Sequence, residues 1–158
     1  MLEIAVFLCG AVVMVIELTG SRVLAPYLGT SLVVWTSLIG IILASLSIGY
    51  WWGGRLADRR PEARLLGRII LLSAFATAFM VLIKTFVLGF LQARSGGLHL
   101  AAMSATLLLF APPSILIGMV SPFAVRLKLE DTQTSGQTAG KLYAISTIGS
   151  ISGTFHQD

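Results

Sequence analysis

The chain has 158 residues, of which 56% are hydrophobic and 11% charged, and its mean hydropathy is +0.89. Soluble domains carry about 25% charged residues, so the composition excludes a water-soluble module and describes an integral membrane protein with room for four to six spans of roughly 20 residues. The net charge of +4 would suggest nucleic acid in a soluble protein; here the basic residues fall in short loops, where the positive-inside rule accounts for them, and the expected surroundings are lipid bilayer, with no nucleic-acid partner.

The first span is expected over residues 3–28. No basic region precedes it and it is longer than a signal-peptide core, so it is expected to stay in the mature protein. The single cysteine, Cys9, lies inside it, which leaves no disulfide and no cysteine-rich metal site and makes Cys9 a packing residue. Glu17 places a carboxylate well inside the membrane, and Ser21 and Arg22 follow it. An ionised group at that depth costs several kcal/mol unless it is paired or faces water. Glu17 is therefore a candidate proton- or cation-binding group, or else a structural partner of Arg22 or of a neighbouring helix. Five residues separate Glu17 from Arg22, about 140° around an ideal helix, so direct pairing needs distortion near Gly20 or a second helix; Arg22 is expected to snorkel outward.

Pro26 to Ser31 reads as a short uncharged turn, which makes the first two spans antiparallel neighbours. The second span, 32–53, carries small residues four apart, among them Gly49 and Gly53, a pattern for close helix packing in lipid. It ends in Tyr50-Trp51-Trp52-Gly53-Gly54-Arg55-Leu56-Ala57-Asp58-Arg59-Arg60, where aromatic side chains at headgroup depth give way to arginines. Further spans are expected over 65–88, 99–123 and 140–156. Arg55, Arg59, Arg60, Arg64, Arg68, Arg126, Lys128 and Lys141 fall on one side of this arrangement, beside Asp58, Glu62, Glu130 and Asp131, and Arg94 with Ser95 and Gly96 falls on the other. The basic side is cytoplasmic by the positive-inside rule, so the N-terminus is expected inside and the C-terminus outside.

Within the later spans, Lys84 is read as a snorkelling residue. Pro112 and Pro113 should kink the fourth span, since neither can donate a backbone hydrogen bond, and Gly118, Ser121 and Pro122 loosen its basic end. The fifth segment, with Tyr143, Ser146, Gly149 and Gly153, is rich in small and hydroxylated residues and is read as a buried interhelix face. His99 and His156 form no ligand set. No nucleotide, metal or nucleophile motif is present, so neither a cofactor, a bound metal nor a catalytic residue is expected.

Three runs, Glu17 to Gly29, Ser47 to Asp58 and Gly140 to Ser150, resemble the N-terminal membrane region of bacterial membrane-fused spermidine-synthase-like proteins. Separately, Gly54 to Arg60 is similar to the loop between the second and third helices of the major facilitator superfamily. The second resemblance implies an all-α bundle of about five transmembrane helices, like a truncated facilitator half, and a charge network of Arg55, Asp58 and Arg59 at the cytoplasmic helix ends that helps to hold an outward-facing state. Together they imply the inner membrane of a bacterium. The fused proteins continue into a Rossmann-type aminopropyltransferase-like domain and this sequence does not, so no enzyme activity is expected of it.

Three functional expectations follow. The chain is a transporter-like module for a small cation or amine, with Glu17, Ser21, Arg22, Tyr143 and Ser146 as candidate binding residues and Gly49, Gly53, Gly149 and Gly153 as packing positions. Alternating access needs two bundles, so it would act as a homo-oligomer or with other membrane subunits. The alternatives are an accessory subunit of a larger membrane complex, or the membrane anchor of a spermidine-synthase-like enzyme.

Overall fold

In hydrocarbon a backbone amide finds no water, so each apolar run satisfies its own hydrogen bonds by coiling into a helix. A computed structural model describes residues 2–94, 97–129 and 135–155. It contains α1 (Leu2–Leu28), α2 (Leu32–Arg59), α3 (Ala63–Arg94), α4 (Leu98–Gly118), α5 (Val120–Lys128) and α6 (Ser135–Phe155). The expectations for Ser95, Gly96, Glu130, Asp131 and His156 lie outside the described residues.

Four stretches are long and apolar enough to cross a membrane: Leu2–Leu28, Leu32–Arg59, Ala63–Ala93 and His99–Lys128, the last joining α4 to α5. The fold is thus all-helical among the described residues, with four such helices. The fifth segment forms α6 but is not among them. Several helices outrun the spans expected from hydropathy. At 1.5 Å per residue, α2 and α3 are roughly 42 and 48 Å long, against a hydrocarbon core of about 30 Å. Hydropathy sees the part in lipid; the helix itself continues until a stop signal. For α2 that signal is Pro61, which disfavours the helical region for Arg60, found at φ −146°, ψ 82°. The turn before α2 has its own chemistry: Gly29 takes a positive φ of 77°, its N–H donates to Ala25 O at 2.9 Å, and the Ser31 side chain caps α2 by accepting from Val34 N.

The helix passes through Pro112 and Pro113, and its regular hydrogen bonding is interrupted instead at Met119, which itself stays helical (φ −64°, ψ −23°) and still donates to Ile115 O. Pro122 explains the position, because a proline cannot bond to the carbonyl four residues back, here Gly118, and its ring crowds that carbonyl. The break separates the nine-residue α5 from α4.

The helices pair mainly in two parallel couples, α1 with α6 and α2 with α4–α5. Both are backbone-to-backbone contacts. Added Cβ atoms at Gly10 and Gly149 would run into the carbonyls of Ser146 and Phe7, and one at Gly153 would stand 2.5 Å from Ala11 O. Ser150 Oγ bridges the pair by donating to Gly10 O at 3.1 Å. On the other couple, Gly49 sits against Ile115 O, and a Cβ on Gly53 would meet Met119 at 2.6 Å. The largest buried side chains, Phe110 and Phe123, mark two core clusters: Phe110 packs among Leu24, Leu38 and Ile42, and Phe123 among Ala57, Leu66 and Ile69 at the basic end. Buried hydroxyls on Ser45 and Thr106 are satisfied within their own helices, by Ile41 O and Ala102 O, each at 2.7 Å.

The buried face expected for the fifth segment is narrower than its composition suggested. Leu142, Gly149 and Gly153 are buried, while Tyr143, Ala144, Thr147, Ile148, Ile151 and Ser152 are exposed. Only one side of α6 meets α1 and α5.

Candidate functional site

On α1, Glu3, Gly10 and Glu17 recur every seven residues and therefore share one face of the helix. Gly10 is one of the points where α6 packs backbone to backbone, and Glu17 lies two turns beyond it, roughly 10 Å along the axis. Because α1 runs from Leu2 to Leu28, Glu17 stands about 3 Å past its midpoint. It is half-buried.

Helices α2 and α6 do not touch among the described residues, so they flank a cleft with α1 and α4–α5 behind it. Tyr50 of α2 and Tyr143 of α6 border this cleft, 48% and 54% exposed, and Tyr50 lies within electrostatic reach of both Tyr143 and Glu17. Behind Tyr50 is a small cavity of about 20 Å³ reached by Cys9, Gly10, Ser121 and Ser146. That is the size of one water molecule, and the hydroxyls of Tyr50, Ser121 and Ser146 supply polar partners for one. The small residues at Gly10 and Gly118 are what let four helices converge here without filling the space.

The five candidate residues therefore divide. Tyr143 and Ser146 belong to the cleft. Ser21 and Arg22 line a different pocket, of about 120 Å³, with Gly29, Thr30 and Trp35 at the far end of the bundle. There the Ser21 hydroxyl is committed to Leu18 O at 2.8 Å. Glu17 stands between the two groups, about 6 Å along the axis from Ser21. Tyr50, Cys9 and Ser121 were not among the residues expected, although the seven-residue stripe on α1 and the hydroxyl run in α6 together mark the faces that meet here.

At the basic end Asp58 does not pair with its neighbours Arg55 and Arg59. Its Oδ1 meets Arg126 Nε of α5 at 3.2 Å. Arg55 lies over the Trp51 ring, 3.9 Å from its centroid, a cation–π contact one turn apart. Arg55 and Arg59 also border a surface pocket of about 320 Å³ with Trp52, Leu56 and Met119. A second ionic knot forms around Glu3, which accepts from Lys128 of α5 and, at 3.0 Å, from Lys141 of α6. These contacts gather the Glu3 end of α1 and the basic ends of α2, α5 and α6 at one end of the bundle.

No group of three or more His, Cys, Asp or Glu residues capable of holding a metal ion occurs among the described residues. Comparisons with protein-family models, with curated proteins and with solved structures return no match for this chain.

Proposed function

We propose that the chain is a transport-type helical module in which Glu17 binds a proton or a small organic cation at the edge of the α2–α6 cleft. The observation that carries this reading is a half-buried carboxylate near the midpoint of a membrane-crossing helix. Insertion of an acid at such a depth costs about 2.5–3.5 kcal/mol, a cost that packing alone does not require, since a leucine would fill the same place. Tyr50, within electrostatic reach of Glu17, suits an ammonium group, which its ring face attracts. The bundle resembles a truncated facilitator half, with α6 as the fifth crossing, and a second copy or another membrane subunit supplies the opposing bundle that alternating access needs. In this reading the basic end faces the cytoplasm of a bacterium, the N-terminus is inside and the C-terminus outside.

The test is flux in proteoliposomes: uptake of protons or of a monoamine, compared between the native chain and Glu17→Gln. Loss of flux with unchanged helicity and particle size supports the proposal. Unchanged flux in Glu17→Gln sinks it.

A second reading is favoured by a different observation, the exposed Thr147, Ile151 and Ser152 on α6. Hydroxyls stand among the apolar side chains of that exposed face, as at helix–helix interfaces in lipid, and in this reading the chain is an accessory subunit whose α6 is covered by an unrelated membrane protein. Native mass spectrometry of mildly extracted particles separates the two: homo-oligomers fit transport, whereas a fixed stoichiometry with other subunits fits the accessory role.

A further inference from the structure

The surface pocket at the basic end is built from one stripe of α2. Trp52, Arg55, Leu56 and Arg59 follow at steps of three and four residues, so they share a face about 100° wide, and Met119 of the α4–α5 junction stands beside them. Met119 is seated there by the bare backbone of Gly53, on which a Cβ would come within 2.6 Å of Met119 O. Trp52 lies about 160° around α2 from Tyr50, so the stripe faces away from the α2–α6 cleft.

The two arginines have no acid to hold. Asp58 is the single carboxylate of α2, and its Oδ1 is turned to Arg126. Neither Arg55 nor Arg59 forms an ion pair among the described residues, and both are exposed. The contact of Arg55 with the Trp51 ring engages its charge and leaves its N–H donors for another group. Such a fork of donors matches phosphate oxygens bidentately. A helix C-terminus carries about half a negative charge, which opposes an anion near Arg59; two guanidiniums outweigh it.

Depth indicates which anion. Trp51 and Trp52 belong to the headgroup layer, and Arg55 and Arg59 follow about 4.5 and 10 Å farther along α2 from Trp52. A bilayer of about 40–45 Å with a 30 Å hydrocarbon core leaves roughly 5–8 Å for headgroups on each side. Helical side chains tilt toward the helix N-terminus, here back toward the membrane, so both guanidiniums lean into the layer where lipid phosphates lie. We propose that this pocket binds the phosphate of an anionic membrane lipid, with Arg55 and Arg59 as its donors and Trp52, Leu56 and Met119 beside the glycerol. The site is independent of the transport reading, since neither Glu17 nor the α2–α6 cleft takes part.

The probe is a nanodisc bilayer of phosphatidylglycerol and phosphatidylcholine in equal amounts, read by native mass spectrometry after release of the protein. The native chain is expected to retain phosphatidylglycerol in preference by roughly fivefold per arginine, the factor that a near-surface charge supplies. Arg55→Gln with Arg59→Gln, both at exposed positions, should bring the preference to parity. Arg64→Gln with Arg68→Gln removes the same charge from α3, outside the pocket, and should leave most of the preference in place. Millimolar inorganic phosphate should not displace the retained lipid. Parity in the native chain, an unchanged preference in the α2 variant, or an equal loss in the α3 variant would overturn the proposal, the last by reducing it to bulk charge. Displacement by inorganic phosphate would overturn the lipid source and assign the pocket to a soluble phosphate.

Discussion

Asp58, on the last turn of α2, holds Arg126 of α5 at 3.2 Å, joining two segments that the sequence keeps far apart. The pair is 72% and 46% exposed at its acid and base, and exposed pairs contribute about 0–1 kcal/mol. A double-mutant cycle of Asp58→Asn and Arg126→Gln, followed by thermal unfolding in detergent, is expected to give a coupling below about 1 kcal/mol. The coupling should shrink further at 1 M salt, where screening acts over about 3 Å. A coupling of several kcal/mol that ignores salt would mean the pair is desolvated.

Glycines at the two helix couples differ from those elsewhere. Gly149→Val should destabilise the chain by about 1–3 kcal/mol, because the new side chain has to displace the α1 backbone at Phe7. Gly40 and Gly89 meet nothing within 4 Å, so Gly40→Ala and Gly89→Ala are expected to be neutral or to stabilise by up to about 1 kcal/mol through helix propensity. Melting curves of the three variants in one detergent check the contrast.

The α4–α5 break is assigned to Pro122. Pro122→Ala restores a donor to the carbonyl of Gly118, and amide exchange across residues 120–123 should slow by roughly fivefold, the factor that one added hydrogen bond of about 1 kcal/mol supplies. Unchanged exchange would move the cause to Gly118 itself.

Orientation has a direct check. In a Cys9→Ala background, Thr30→Cys at the uncharged turn should react with an impermeant maleimide on intact cells, and Arg60→Cys should react only after the membrane is opened. The reverse pattern would invert the topology.

How much of this was legible in the residues depends on distance along the chain. The turn from Gly29 to Ser31, three residues shorter at its start than expected because Pro26 to Leu28 stay in α1, and the four apolar runs that form α1 to α4 are local features, written in hydropathy, glycine and proline. The outer reach of α2 to Arg59 was not, because a helix that leaves lipid keeps its backbone bonds while its side chains turn polar. Pro112, Pro113 and Pro122 look alike in sequence, yet the break follows Pro122, next to a glycine backbone packed on Leu46 and Gly49. For the candidate site, the depth of Glu17 could be counted off directly. Its separation from Ser146, and the choice of Arg126 rather than Arg55 or Arg59 as the partner of Asp58, follow from pairings between helices that no local spacing encodes.

The parallel couple of α1 and α6 also sets a schedule for biosynthesis. Gly10 leaves the ribosome well over a hundred residues before Ser146, an interval of about 10 s at usual elongation rates. Throughout that time the face of α1 carrying Phe7 and Gly10 has no α6 to cover it. The first helix inserted is thus among the last to be sealed.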